Sequence, residues 1–379
     1  MSYRVLQILP SLDSSGGGVQ RGAIDMANAL VKAGHQSFMA SAGGDRVPAL
    51  TRAGTVHLEL PLDSKNLWRM RWNAKKLVRL SQQHGIQLLH ARSRAPAWSA
   101  YWASQRLGIP FLTTFHGTYG HQNRLKRAYN AVMVRGQLVI AVSEHISQHI
   151  QAVYGVDAAR IRVIHRGVDL SQFDPARVSA SRIIQLAKAW QLPDGVPVVM
   201  LPGRLTRWKG HMLLLQALAR LGSPNICCVM VGGDEGRGAY RQELLQQIQT
   251  LGLTGQVKLV GACQDMPAAY RLADVVVVPS LAPEAFGRTM AEGLAMGPLV
   301  IAANHGAAPE VLDHGRHGWL FAPKDATDLA GCLQSALEVS TEERLGRAVV
   351  AARFVADHFS LTGMTAQTMA VYEELLKPS

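Results

Sequence analysis

Acidic side chains are scarce in this chain. It carries 27 Asp and Glu against 39 Lys and Arg, for a formal net charge of +12. From Ser64 to Ser143 there is no carboxylate at all, while thirteen Lys or Arg residues fall in that stretch. So one-sided a segment either meets an anionic partner or serves only to keep the chain in solution. Cysteine is also sparse. Cys227, Cys228, Cys263 and Cys332 form no C-x-x-C pair, which argues against a disulfide framework and for a reduced, cytoplasmic setting. No apolar run approaches the eighteen or so residues needed to span a bilayer, and the opening residues lack a charged-then-apolar signal pattern. None of the fourteen histidines completes H-E-x-x-H, and no D-x-D stands near a donor-type loop, so no metal or cofactor is expected. Nucleic-acid binding is the competing outlet for a basic surface. No RNP motif, helix-turn-helix signature or zinc spacing accompanies the charge, so it is not expected. The run Val231-Gly232-Gly233-Asp234-Glu235-Gly236 lacks clean G-x-G-x-x-G spacing and does not read as a dinucleotide fingerprint.

What is present alternates. Short apolar runs at 4–9, 88–90, 111–114, 138–142 and 162–164 are separated by longer helical patterns, and a second series follows at 198–201, 227–231, 257–260, 275–278 and 299–302. Strands alternating with helices predict parallel, doubly wound α/β sheets, and 379 residues suit two domains. Residues 1–175 form the first expected domain and 176–360 the second, joined through His165-Arg166-Gly167-Val168-Asp169. The final helix, within 361–379, is expected to return to the first domain. Gly16 to Gly18 read as a loop after the first strand, ahead of a helix over Ala23 to Ala33.

Two strand ends carry chemistry. Val275 to Val278 is a purely β-branched strand, followed by a loop with Glu284 and a small-residue helix with Glu292. Eight positions separate the acids, placing one on the loop and one about a turn into the helix. Ligands in such sheets bind outside the carboxyl ends of strands, where helix N-termini offer free N–H groups to anions. Carboxylates beside an anion site suit a ligand with both phosphates and hydroxyls, such as a nucleotide sugar. Upstream, the strand at 198–201 is followed by Gly203-Arg204 and Lys209-Gly210. A fixed guanidinium and an ammonium at one strand end suit a diphosphate.

Four separated elements then resemble the family 4 glycosyltransferases: Gly16-Gly17-Gly18-Val19, Thr114-Phe115-His116-Gly117, Gly203-Arg204 through Lys209-Gly210, and Pro283-Glu284-Ala285-Phe286-Gly287 through Glu292-Gly293. The resemblance implies the GT-B fold, two Rossmann-like domains facing each other across a cleft. It also implies a retaining, metal-independent hexosyltransferase using a UDP- or GDP-sugar. By the same likeness, Glu284 binds donor-sugar hydroxyls with the amides of Phe286 and Gly287, and Glu292 holds the ribose. Arg204 and Lys209 stabilise the diphosphate; Gly17 and Gly18 admit the donor phosphate. His116 contacts the sugar near its anomeric carbon, and Gly203, Arg288 and Thr289 complete the donor set. The linker departs from the pattern, having Arg166 where many relatives have Asn, and the loop at 232–237 departs too.

The segment 65–79 places Trp68 and Trp72 among Arg69, Arg71, Lys75, Lys76 and Arg79. On a helix, Leu67, Met70, Ala74 and Leu77 are expected to face the core. The tryptophans and cations would then be free to touch the inner face of an anionic membrane or a phosphorylated, lipid-linked acceptor. A lipopolysaccharide core or other cell-envelope glycan is the expected acceptor. A sugar-nucleotide epimerase or hydrolase of the same fold is the alternative.

Overall fold

The computed structural model describes residues 2–13, 17–120, 123–236 and 238–377. Two compact units emerge, Met1–Gly167 with Leu361–Ser379, and Val168–Ser360. The division falls at Gly167, ahead of the boundary at 175 read from the sequence. Its cause is local. Val168 forms a parallel bridge to Ser360, and its N–H donates to the Phe359 carbonyl at 2.7 Å, so both crossing segments belong to the second unit from their first residue.

The first unit is built from β1 (Arg4–Ile8), α1 (Gly17–Lys32), β2 (Gln36–Ser41), α2 (Val47–Arg52), β3 (Val56–Glu59) and α3 (Leu67–His84). Then come β4 (Leu88–Ala91), α4 (Arg94–Leu107), β5 (Phe111–Phe115), α5 (Arg124–Asn130), β6 (Leu138–Ala141), α6 (Glu144–Tyr154) and β7 (Ile161–Val163). All strands pair in parallel, in the order β3-β2-β1-β4-β5-β6-β7. Strand order reverses between β1 and β4, the crevice where doubly wound sheets take ligands.

The second unit runs through α7 (Ala180–Ala189), β8 (Val198–Pro202), α8 (His211–Leu221), β9 (Cys227–Val231), α9 (Gly238–Thr250), β10 (Val257–Gly261) and α10 (Met266–Leu272). It continues with β11 (Val275–Val278), α11 (Arg288–Met296), β12 (Leu299–Ala303), α12 (Ala308–Val311), β13 (Trp319–Phe321), α13 (Ala326–Leu337) and α14 (Thr341–His358). Its parallel order is β10-β9-β8-β11-β12-β13, with the reversal between β8 and β11. Those two strands precede the two loops that carry Lys209 and Glu284. Val275 to Val278 are all buried, as a strand covered on both faces requires.

The last helix, α15 (Leu361–Leu376), belongs to the first unit. Met364, Val371 and Tyr372 enter one core with Met26 and Leu30 of α1 and Leu88 of β4. Tyr372 Oη also lies 2.7 Å from His90 Nδ1.

Two local expectations change. Gly16 lies outside the described residues, but Gly17 and Gly18 open α1 and are not loop. The helix therefore presents its unpaired N–H groups at the glycines themselves. Leu67 is 56% exposed. It stands at the first position of α3, beyond the stripe of Met70, Ala74 and Leu77 that does reach the core.

Candidate active site

Pro202 ends β8, and the chain turns through a short 3-10 segment, Arg207–Lys209, before α8 begins at His211. Gly210 makes the turn possible. Its φ is +78°, and a Cβ there would overlap the Pro279 carbonyl oxygen just past β11. Closer still, the Leu281 N–H donates to the Trp208 carbonyl at 2.7 Å. The loops after β8 and β11 are thereby held as one piece at the switch point.

That contact brings Lys209 to Glu284. Lys209 Nζ donates to Glu284 Oε1 at 2.6 Å, and Ser280 Oγ donates to the same oxygen at 2.6 Å. His305 Nε2 in turn donates to the Ser280 carbonyl at 2.8 Å. The Glu284 backbone is clamped from the next loop, its carbonyl accepting from Ala307 N–H at 3.0 Å. Lys209 also lies 4.4 Å from the Trp208 ring centroid. The side chains of Lys209 and Glu284 are only 15% and 12% exposed. A pair this far out of water recovers little net stability, since desolvation offsets the attraction. Its worth is a charge fixed in place.

Glu292 sits one turn into α11 and is buried. Tyr270 Oη of α10 donates to its Oε2 at 3.1 Å, and Arg288 Nη2 donates to its Oε1 at 2.9 Å. The carboxylate is thus held in one rotamer by a phenol and a guanidinium. Phe286 and Gly287 are buried just before α11, where its free N–H groups point. Thr289 Oγ1 and Arg288 Nε are buried without a hydrogen-bond partner among the described residues. Arg204 does not join Lys209. Its guanidinium bonds both oxygens of Glu235, at 3.0 and 3.2 Å, and is half exposed.

In the first unit, His116 follows β5. Burial, with the charges of Arg166 and Arg92 adding to it, holds its imidazole well below the usual histidine range. Its Nε2 is inaccessible and unpartnered among the described residues. Arg166 donates to the Gly18 carbonyl, so the unusual linker residue ties the α1 opening to the vicinity of His116. Arg92, buried at the end of β4, donates to Gln7 at 2.8 Å. Among the described residues no group of three His, Cys, Asp or Glu could hold a metal ion.

Sequence reasoning missed Tyr270, Ser280 and His305. Ser280 closes the strand run, which was a usable signal. Tyr270 lies 22 positions before Glu292, and nothing in the spacing marks it.

Comparisons with known proteins give the family. The family model described as "Glycosyltransferase Family 4" matches residues 16–172, and that described as "Glycosyl transferases group 1" matches residues 183–349. The D-inositol 3-phosphate glycosyltransferase of Mycolicibacterium smegmatis is 28% identical, over 63% of this chain and 59% of its own length. This chain therefore spans about three fifths of that curated relative. A glycosyltransferase from Rickettsia africae superposes with a TM-score of 0.93 and 35% identity, each chain covered completely. The Anabaena protein HepE, solved with UDP and glucose, gives 0.84 and 26%, over 98% of this chain and 99% of its own. A full-length match at that identity, with a model for each half, settles the family: the chain belongs to the family 4 glycosyltransferases and has the GT-B fold.

Proposed function

We propose that this protein is a retaining glycosyltransferase that moves a sugar from a nucleotide-sugar donor to an anionic saccharide or lipid-linked acceptor of the cell envelope. The observation that carries the reading is the Lys209–Glu284 pair at the switch point of the second unit. It sets a cation and a hydroxyl-accepting carboxylate 2.6 Å apart, the complements of the phosphates and hydroxyls that a sugar diphosphate presents. Glu284 Oε2 takes a sugar hydroxyl; Glu292, oriented by Tyr270 and Arg288, takes the ribose diol. Lys209 meets the leaving diphosphate as its charge grows, the stage at which fixed cations matter most, and Arg204 reaches it on exchanging Glu235 for phosphate. Gly203, Phe286, Gly287 and Thr289 line the donor. In the first unit, Gly17 and Gly18 open α1 with unpaired backbone N–H groups, and burial keeps His116 neutral.

Glu284 is a poor covalent nucleophile, because an ammonium and a hydroxyl both bond its Oε1. A front-face displacement assisted by the leaving phosphate fits that better than a glycosyl-enzyme of the kind retaining glycosidases form. Lys209 and Arg204 supply positive charge at the diphosphate, so turnover is expected to persist in excess chelator. A UDP- or GDP-sugar is the expected donor. HepE, solved with UDP-glucose, supports UDP, and the inositol phosphate named for the mycobacterial relative supports an anionic acceptor.

The test is a thermal-shift screen against UDP-, GDP-, ADP- and CMP-sugars in chelator. A donor at a hundred times its Kd adds about 2.7 kcal/mol of stability. A shift with one nucleotide class identifies the donor base, whereas none with any would sink the reading. Steady turnover with no acceptor present would instead mark a hydrolase or epimerase.

A further inference from the structure

Away from the motif loops, the first unit carries a cavity of about 550 Å³ where α3 meets α4. Trp68, Trp72, Trp102, Arg71, Lys75 and Arg106 line it. One face of α3 is spoken for. Met70, Ala74 and Leu77 are buried, Ser99 Oγ donates to the Met70 carbonyl at 2.9 Å, and Asn73 Nδ2 donates to the Pro61 carbonyl at 2.9 Å. Among the described residues the other face is only partly covered, by α4. Trp68 is 81% exposed, Leu67 56% and Trp72 47%.

Large apolar side chains clustered in the first two turns of a helix form a patch that proteins seldom leave to water without a use. Cations surround them: Lys65, Arg69, Arg71, Lys75 and Arg79 are all exposed. Rings and charges interleave, with the Arg71 guanidinium 5.3 Å from the Trp102 centroid and Lys76 Nζ 5.2 Å from that of Trp72. With no carboxylate from Ser64 to Ser143, neither α3 nor α4 carries an acid of its own to offset these cations.

A soluble anion would explain the cations but not the projecting Leu67 and Trp68. A nucleic acid would stack on the rings and still leave Leu67 in water. The headgroup layer of a membrane accounts for both, since indoles settle at the acyl boundary while Lys and Arg reach lipid phosphates. We propose that α3 docks this protein on the surface of an anionic phospholipid bilayer, lying in the interface with Leu67, Trp68 and Trp72 inserted and the surrounding cations on the headgroups. The inference shares no residue with the donor site, so the two stand or fall separately.

Sedimentation of the full chain with phosphatidylcholine vesicles, with and without phosphatidylglycerol, tests it. Binding is expected only with phosphatidylglycerol, with a blue shift of tryptophan emission. Each Lys or Arg at a membrane surface is worth about fivefold in partitioning, so Arg71→Ala with Lys75→Ala should lower it by roughly twenty-five-fold. Trp68→Ala with Trp72→Ala keeps the net charge and should still lose binding and the spectral shift. All four positions are exposed or line an open cavity, and an unchanged melting temperature with an unchanged donor-induced shift would show that the fold is intact. Equal binding to both vesicles, or undiminished binding of the double tryptophan variant, would overturn the proposal. So would displacement from vesicles by inorganic phosphate at matched ionic strength, which marks an isolated anion site, or a preference for single-stranded oligonucleotide over vesicles.

Discussion

The guanidinium of Arg166 fills the notch that Gly22 leaves in α1. A Cβ built on Gly22 would overlap Nη1, Nη2 and Cζ of that side chain. In that position the guanidinium reaches the Gly18 carbonyl and bears on His116. A residue from the end of the first unit's sheet is thereby keyed into its first helix.

This pairing reverses an ordinary rule. Glycine to alanine inside a helix usually gains up to about 1 kcal/mol. Gly22→Ala should instead lose about 1–3 kcal/mol, as overpacking does, because the buried guanidinium has to leave its place. Chemical denaturation of the variant checks this, and Gly22→Ala with Arg166→Ala should recover much of the loss. A stabilised single variant would show that Arg166 moves aside at no cost.

Tyr270→Phe removes one hydroxyl and leaves the packing. A hydrogen bond to a charged group is worth about 1.5–3 kcal/mol. Losing this one frees Glu292 to rotate, and nucleoside diphosphate affinity should fall by about tenfold. Calorimetric titration measures it. Glu292→Ala should weaken binding further, and unchanged affinity in both would remove Glu292 from the ribose role.

Lys209→Ala should slow turnover by about a hundredfold or more, in line with the loss of single electrostatic groups. Donor Kd should change less than kcat, since charge on the diphosphate grows toward the transition state. Arg204, half exposed and engaged by Glu235, should matter less. Steady-state rates for the two variants side by side decide the order.

Stability should fall in mild acid. Burial pushes His211, at the start of α8, down to about 4, while the unfolded chain takes a proton near 6.5. The unfolded state then binds more protons between those limits, so stability is full above pH 6.5 and declines as pH drops toward 4. His211 alone accounts for up to about 3 kcal/mol of that decline. His90 and His116 are held low by burial as well and act in the same sense. Melting temperatures from pH 7 to 5 should drop, and His211→Gln should flatten the slope.

Much of this molecule could be read from its residues, for identifiable reasons. Val275 to Val278 and Val198 to Leu201 announce themselves because a strand covered on both faces is apolar throughout. Glu284 and Glu292 stand out because strand, loop and helix follow in a fixed order. By contrast, β2, β3 and β13 went unread. Gln36 to Ser41 and Val56 to Glu59 mix polar and apolar residues, and Trp319 to Phe321 is too short to show a period. Leu67 was misplaced because helical spacing says nothing about where the partner helix ends. Ser280, His305 and Tyr270 support the two glutamates through tertiary contacts, and tertiary neighbours leave no local pattern.

The membership of α15 in the first unit bears on how the chain is made. Everything from Val168 to Ser360 leaves the ribosome as an unbroken stretch and can close its own sheet while synthesis continues. The first unit, although it starts first, waits for the last helix. Until then, the core that Met364, Val371 and Tyr372 complete is open beside α1 and β4, and His90 lacks its phenol. The half that begins earliest is therefore finished last, and until α15 docks its apolar floor lacks part of its cover.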